Sequence, residues 1–202
     1  MINLKKNNSG MTLVEMSAVI VVVSVISLGM TLGLRGVLLH YQSDYVRQEI
    51  RYYGNSILRD IVKELSLAQR VDLDAANGFS RLKLYKFYNS TNPEMVITCN
   101  ENDGVFFNYI APHDQSLRLP NYGAYRDNGQ RDVRVKDFIV TTQNEASPGL
   151  TSFKESFLNV ELILSMDQDV FINEQSTTED HYFKRGVFLG QSFIMKKLTN
   201  NG

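Results

Sequence analysis

Few residues of this chain have the types and spacing that chemistry requires. The three histidines, His40, His113 and His181, do not stand at metal-ligand spacing from one another or from Cys99, the single cysteine. The sequence contains no nucleophile elbow, phosphate-binding glycine loop or dinucleotide fingerprint. Cys99 lies in an apolar run, where a cysteine is typically a small core residue. We therefore expect no catalytic centre, no metal and no cofactor, and hence no enzyme.

The acidic run from Met166 to Asp180 is a further candidate, because carboxylate oxygens are the ligands that Ca²⁺ prefers. The run has no glycine at its turn and does not follow the spacing of an EF-hand loop. A solvated hairpin is the favoured interpretation, and calcium binding is the alternative.

A single charged side chain, Glu15, interrupts the most apolar stretch of the chain. After it, Met16 to Leu34 form nineteen consecutive uncharged residues. A helix of that length rises about 28 Å, close to the ~30 Å hydrocarbon thickness of a bilayer. A carboxylate in such a segment costs about 2.5–3.5 kcal/mol on insertion scales. The sequence thus predicts a transmembrane helix, and Glu15 needs a specific reason to be there.

The flanks of the apolar run predict its orientation. Lys5 and Lys6, the only charges before Glu15, hold the N-terminal end in the cytoplasm and direct the C-terminal part outward. A Sec signal peptide is the rival interpretation, but its apolar core has only about 7–15 residues, followed by a small-residue cleavage site. The run here is longer, and "RGVLLHYQ" after it is not such a site. We expect a single-pass protein of the inner (cytoplasmic) membrane, with its C-terminal domain periplasmic or extracellular.

The hexapeptide "GMTLVE", Gly10 to Glu15, resembles the cleavage and methylation site of type IV prepilins and of the pseudopilins of type II secretion. The family pattern is a glycine, a bulky apolar residue and Thr-Leu-Val/Ile-Glu, which leads directly into an apolar helix behind a short basic leader. Met11 stands where the family most often has phenylalanine, and the family tolerates methionine there. The resemblance in sequence covers the N-terminal part of the chain only.

The resemblance implies a processing step and an assembly role. Prepilin peptidase would cut after Gly10, remove the leader 1–10, and methylate the new N-terminus at Met11. Glu15 would then pair with a cationic N-terminal amine, from its own chain or from a neighbour in a filament, which offsets the cost of its charge and sets the subunit register. The plainer alternative is that Glu15 reaches the cytoplasmic interface near the helix start, where the helix dipole favours a carboxylate.

The resemblance also indicates the class of protein and its partners. The implied partners are other pilins or pseudopilins through helix 1, the prepilin peptidase/methyltransferase and inner-membrane lipid. The formal net charge of -1 predicts no nucleic acid partner. Major pilins usually close a C-terminal loop with a disulfide, which a lone Cys99 cannot form. The length and layout of the chain look like those of W-type minor pilins and J-type pseudopilins.

These expectations leave three functions open. We expect a minor pilin of a type IV pilus, in the initiating or tip complex. The first alternative is a J-type pseudopilin of a type II secretion system. The second is an extracytoplasmic binding domain or enzyme that is held by an ordinary signal anchor.

The spacing of apolar residues predicts that helix 1 continues beyond the membrane. No proline occurs between Arg35 and Val71, and apolar residues recur in steps of three and four with one gap of eight: Leu38, Tyr41, Tyr45, Tyr53, Ile57, Ile61, Leu65 and Ala68. We predict a transmembrane half over 11–34 and an amphipathic half over 35–73. Gly29, Gly33 and Gly36 form either a helix-packing face or a place where the helix unwinds.

After "DAANG", Asp74 to Gly78, the apolar period changes to two. Runs typical of strands, separated by turn-forming residues, are 81–88, 95–99, 104–111, 134–143, 156–166, 182–190 and 192–198. We expect an irregular loop over 117–131. Short connections predict an antiparallel sheet in residues 74–202, packed on the amphipathic half of helix 1. The expected fold class is therefore α+β and pilin-like.

Overall fold

A computed structural model of the chain describes residues 12–110, 118–120, 133–142, 156–168 and 177–200. The chain divides into two compact units, Met1–Tyr45 and Val46–Gly202. A long helix, α1 (Leu13–Leu67), contributes to both units.

Seven strands and a short helix follow α1 in the described part of the chain: β1 (Arg70–Ala76), β2 (Phe79–Tyr85), β3 (Met95–Asn100), β4 (Gly104–Phe107), β5 (Val133–Thr142), β6 (Phe157–Gln168), β7 (Thr177–Phe188) and α2 (Gly190–Asn200). They form two antiparallel sheets, with strand orders β1-β2-β3-β4 and β5-β6-β7. A long apolar helix followed by antiparallel sheets is the α+β, pilin-like arrangement that the sequence predicts.

The predicted single sheet is nevertheless divided in two. Strand β5 reaches the first sheet through isolated hydrogen bonds instead of a ladder. The Val140 amide donates to the Ser80 hydroxyl at 2.9 Å, and the Val135 amide donates to the Glu101 carbonyl at 2.8 Å. The sequence pattern could not reveal this division, because alternation predicts strands and not which of them pair.

In the second unit, one face of α1 is the centre of the core. The buried residues of this face follow steps of three and four: Val46, Ile50, Tyr53, Ile57, Ile61 and Leu65. Aliphatic side chains of both sheets, such as Leu82 and Leu162, complete the same cluster. The amphipathic interpretation of this part of α1 is therefore correct.

The prediction for the amphipathic half of helix 1 is wrong in two respects: the residue at which its buried face begins and the residue at which the helix ends. Leu38, Tyr41 and Tyr45 are exposed, and the buried face starts at Val46, so that Val46 and Ile50 fill the gap of eight residues. The helix also ends at Leu67, not near residue 73. The chain beyond it pairs with β2 instead: the Gln69 amide donates to the Tyr85 carbonyl at 3.0 Å, and β1 then follows. Pairing with a neighbouring strand here overrides the helical pattern.

Strand β1 was missed, although its turn signal was present. Asn77 and Gly78 both have positive φ, +57° and +85°, which is the backbone of the two-residue turns that favour Asn-Gly between antiparallel strands. The same backbone feature shortens the predicted strand 104–111. Its β4 ends at Phe107, because Asn108 and Tyr109 have φ of +51° and +64° and turn the chain.

The predicted last strand, 192–198, is wrong, because this run lies in helix α2. Short apolar runs do not distinguish a strand from a buried helix segment by periodicity. Within 192–198, the buried or half-buried residues stand at positions i, i+1, i+3 and i+4, as on one face of a helix: Ser192, Phe193, Met195 and Lys196. Of the predicted loop 117–131, only residues 118–120 lie among the described residues, and Leu119 is buried there.

Two adjacent residues of α1 fix it to the two sheets of the second unit. The buried Tyr53 hydroxyl accepts a hydrogen bond from the Val105 amide of β4 at 2.9 Å, and burial raises the pKa of this phenol. At Gly54, a Cβ would stand 2.6 Å from the Phe183 ring of β7, so only glycine permits this approach.

We predict that Tyr53→Phe destabilises the second unit. The substitution leaves the buried Val105 amide without its acceptor, which costs about 1–3 kcal/mol. Tyr52→Phe is the matched control, because Tyr52 is 54% exposed. Chemical denaturation of the full chain in detergent, followed by near-ultraviolet circular dichroism, measures both. Equal midpoints for the two variants would contradict the assigned role of Tyr53.

Candidate functional site

The first turn of α1 brings Thr12 and Glu15 into direct contact. The Thr12 amide and hydroxyl both donate to Glu15 Oε2, at 2.8 and 2.9 Å, and the Glu15 amide donates back to the Thr12 hydroxyl at 3.3 Å. Because α1 begins at Leu13, Thr12 is the N-cap and Glu15 the third helical residue. This reciprocal pattern is a capping box, which satisfies amides that the first turn of a helix otherwise leaves unpaired.

The capping box gives Glu15 a local function that the sequence interpretation missed. The signal was present, since Thr-x-x-Glu before an apolar run is the sequence form of this cap. Both bonds that the Glu15 carboxylate accepts from Thr12 use Oε2, and a carboxylate has about four acceptor positions. Glu15 can therefore cap its helix and still accept a hydrogen bond or an ion pair through Oε1.

Three hydroxyl side chains of the apolar part of α1 form their hydrogen bonds within the helix. The hydroxyls of Ser17, Ser24 and Thr31 donate to backbone carbonyls three or four residues earlier, at 2.7–2.8 Å. In lipid, an unsatisfied polar group costs several kcal/mol, so this pattern suits a segment without water around it.

The residues after Glu15 form a surface that is apolar on all sides. Leu13–Leu38 is a 26-residue segment long and apolar enough to cross a membrane, and its large side chains are exposed in the first unit. It overlaps the predicted transmembrane half, 11–34. A Cβ at Gly29, Gly33 or Gly36 would meet no atom within 4 Å, so the fold of the chain itself does not require these glycines.

Of the three predicted site residues, only Glu15 lies among the described residues. Glu15 stands at the start of α1, exposed and bonded to Thr12. Gly10 and Met11, the predicted cleavage and methylation residues, lie outside the described residues, and their roles stay predictions.

The cysteine and histidine side chains that were candidates for chemistry lie on different elements of the fold. Cys99 is buried in β3, as predicted for a core cysteine, and burial raises the pKa of its thiol to about 12. His40 is exposed on α1, His181 lies on β7, and His113 is outside the described residues. Among the residues that the structure describes, no group of three or more His, Cys, Asp or Glu side chains could hold a metal ion.

The acidic run Met166–Asp180 connects β6 and β7. These two strands pair antiparallel along their whole length, from Phe157 with Phe188 to Gln168 with Thr177, so its two ends belong to a hairpin as predicted. Residues 169–176 are not among those described. Calcium binding by this run stays an untested alternative.

One comparison with known proteins matches the site. Residues 5–31 match the family described as the prokaryotic N-terminal methylation motif. Comparisons of the chain with curated proteins and with solved structures gave no match. The matched region contains Gly10, Met11 and Glu15 and the start of the apolar helix.

This match lies on the residues that carry the resemblance to type IV prepilins and pseudopilins and supports that resemblance, for residues 5–31 of the chain. The motif implies processing by prepilin peptidase and assembly with other pilins. Together with the single candidate span in the described residues, it indicates a single-pass, membrane-anchored protein.

We predict that Thr12→Val loosens the first turn of α1. Valine has the same shape but has no hydroxyl, so one half of the capping box is lost, at a cost of about 1 kcal/mol. Thr31→Val is the control, because the Thr31 hydroxyl bonds only back into the helix, to the Ser27 carbonyl. Amide hydrogen exchange of the full chain in detergent should be about five-fold faster at the Glu15 amide, which loses its acceptor, in Thr12→Val alone. Unchanged exchange there would contradict the capping role.

Proposed function

We propose that this chain is a minor pilin, a structural subunit of a type IV pilus that acts in its initiating or tip complex. The observation that carries the proposal is the hexapeptide Gly10–Glu15, which lies within the matched methylation motif and leads directly into the apolar helix. In this function, the first half of α1 is both the membrane anchor and the surface for assembly, and the chain performs no catalysis.

Processing makes the assembly site. Prepilin peptidase cuts between Gly10 and Met11 and methylates the amine of Met11. The new cationic N-terminus then directly precedes Thr12, whose amide nitrogen is 2.8 Å from Glu15 Oε2. Cleavage therefore creates a positive charge one residue away from a fixed carboxylate, which supports an ion pair between the two.

The surroundings of Glu15 differ between the membrane and the filament. In the membrane it lies near the cytoplasmic interface, on the side of Lys5 and Lys6, and the second unit is on the periplasmic or extracellular side. In the filament it enters a water-poor bundle of helices, where an unpaired carboxylate is costly. The Met11 amine of a neighbouring subunit offsets that cost through Oε1 and sets the axial step. Oε2 meanwhile keeps the capping box with Thr12.

A minor position in the filament is supported by the cysteine content. The single Cys99 is buried in β3 and cannot form the C-terminal loop disulfide that is usual in major pilins. The length of the chain and its helix-then-sheet layout are similar to those of W-type minor pilins. They are equally similar to J-type pseudopilins, so a pseudopilin of type II secretion is the second candidate. The neighbouring genes distinguish the two.

A signal-anchored enzyme or binding domain has less support. The buried Cys99 thiol, with its pKa raised to about 12, is a poor nucleophile near neutral pH. The capping box alone would also account for a Glu15 without an assembly role, so this alternative has to be tested through the charge of Glu15.

We predict that both Glu15→Gln and Glu15→Val abolish incorporation into the assembly. Glutamine retains the side-chain acceptor of the capping box but has no charge, whereas valine has neither. If the ion pair with the Met11 amine is what matters, both variants lose co-purification with partner subunits by at least ten-fold. Membrane insertion, the fold of the second unit and cleavage after Gly10 remain.

The control variant is Ser17→Ala, which removes a polar side chain two residues away without touching charge. It should co-purify at the wild-type level. Wild-type co-purification of Glu15→Gln, with loss only for Glu15→Val, would show that Glu15 acts as a helix cap, and the pairing account would be wrong.

We also predict that this chain is a small fraction of any filament. Quantitative mass spectrometry of sheared filaments should find it far below the dominant subunit. A filament in which this chain is the most abundant protein would overturn the assignment to a minor subunit.

A further inference from the structure

A cleft of about 430 Å³ lies at the C-terminal end of α1, within the second unit. Leu67, the last residue of the helix, and Ala68 form part of its wall. The end of β2, the two residues after it, the start of β3 and the first turn of α2 form the rest. Its volume is within the range of about 300–1,000 Å³ that is usual for ligand sites. We call it the α1-end cleft.

The α1-end cleft is lined mainly by apolar and aromatic side chains, and two of them are largely exposed. Leu67 is 56% and Phe87 is 65% exposed, whereas Leu84 and Tyr85, which also line the cleft, are buried. Single exposed apolar side chains are ordinary on a protein surface, but large ones grouped around one cleft are typical of an interaction site. An occupant that fills the cleft and extends over its rim would remove both from water.

The charges that line the cleft leave one carboxylate without a counter-ion. Glu64 is half-buried and forms no hydrogen bond or ion pair with the residues that the structure describes. The second carboxylate, Glu94, pairs with Lys86 at 3.5 Å, and Lys86 is the one cation among the lining residues. Two carboxylates and one ammonium group give the cleft an excess of negative charge.

The position of Glu64 on α1 adds to this negative potential. It lies in the last turn of the helix, where the helix dipole favours a cation, and that turn contains no basic residue. Lys63 precedes Glu64 directly, and adjacent residues of a helix do not face each other. The first cation beyond the helix, Arg70, instead donates to the Tyr88 carbonyl at 2.9 Å and to Asp72 at 3.4 Å. A cation from another molecule would therefore be stabilised beside Glu64.

We propose that the α1-end cleft is a docking site for a partner protein, and that it binds a segment in which an apolar side chain stands next to a lysine or an arginine. The apolar side chain fills the cleft and the segment covers Leu67 and Phe87, while the cation pairs with Glu64. Burial of apolar surface supplies the affinity, and the ion pair supplies the selectivity. The site goes beyond the function proposed for the first half of α1 and does not depend on Glu15.

The charge and the exposed rim favour a protein segment over other occupants. An anionic lipid surface or a nucleic acid attracts basic surfaces, and a cleft with an excess of negative charge would repel both. A free amine would pair with Glu64 but would leave Leu67 and Phe87 in water, because it does not extend over the rim. A peptide segment satisfies the charge and covers the rim at the same time.

Short peptides test this chemistry directly. The probe is the capped tripeptide Leu-Arg-Phe, and its matched neutral form is Leu-Gln-Phe. The full chain in a nonionic detergent carries ¹³C-methyl methionine, so that Met95, which lines the cleft, reports binding, and Met166, in the core, serves as the internal reference. We expect both peptides to shift the Met95 signal, and the arginine peptide to bind about four-fold more tightly.

Three variants separate the charge from the apolar contact. Glu64→Gln should abolish the preference for the arginine peptide, whereas Glu101→Gln, an exposed carboxylate directly beyond the other end of β3, should retain it. Phe87→Ala should weaken the binding of both peptides, and circular dichroism checks that each variant is folded. An unshifted Met95 signal, equal affinity of the wild-type chain for the two peptides, a preference that survives Glu64→Gln, or equally tight binding of butylamine would each overturn the proposal.

Photo-cross-linking in the chain's own cell tests the site with its natural partner. Benzoylphenylalanine at position 87 should form an adduct with a protein whose cross-linked peptide contains an apolar residue next to a lysine or arginine. Glu64→Lys should reduce this adduct about five-fold, through repulsion of the cation. The control is position 182, because Tyr182 is 71% exposed on β7. The same adduct from position 182, no adduct from position 87, or one that Glu64→Lys leaves unchanged would contradict the site. Because the peptide titration involves neither processing nor filament assembly, its failure would leave the function proposed for α1 untouched.

Discussion

A carboxylate at the start of a bilayer-length apolar helix is the constraint on which the rest of this structure depends. Glu15 satisfies part of its hydrogen-bonding capacity locally, in the capping box with Thr12. That box lowers the cost of the helix start but does not neutralise the charge. In a water-poor environment the carboxylate either takes up a proton or needs a cation beside it. Cleavage after Gly10 would provide one, because it creates an amine next to Thr12. In the proposed function, the charge, the cap and the processing site would therefore form one functional unit.

The same helix serves two environments with two kinds of surface. Its first part, Leu13–Leu38, is long and apolar enough to cross a membrane, and the hydroxyls of Ser17, Ser24 and Thr31 bond to its own backbone, as suits a segment surrounded by lipid or by other helices. From Val46 onward it is one-sided, and Tyr53 and Gly54 fix it to the two sheets. Within the second unit, the packing of the two sheets on α1 thus requires none of the residues that are proposed to direct assembly.

The sequence predicted those features that depend on local pattern. The motif, the apolar span, the fold class and most strands follow from short-range spacing. The predictions that are wrong concern segments whose structure depends on packing with residues that are distant in the sequence. The prediction that α1 extends to residue 73 is wrong because pairing of β1 with β2 is a tertiary effect. The prediction of a strand over 192–198 is wrong because a short apolar run is ambiguous. The capping role of Thr12 follows from a local pattern as well, because Thr-x-x-Glu before an apolar run is the sequence form of a capping box.

The mature N-terminus is the most direct test of this account. Intact-mass and N-terminal peptide mass spectrometry of the chain, purified from the membrane of its own cell, identifies the first residue and its modification. We predict a chain that begins at Met11 and carries one methyl group on its amine. A chain that retains residues 1–10, with an unmodified peptide bond between Gly10 and Met11, would contradict the central claim. Glu15 would then be a helix cap and an interfacial charge in an ordinary signal anchor.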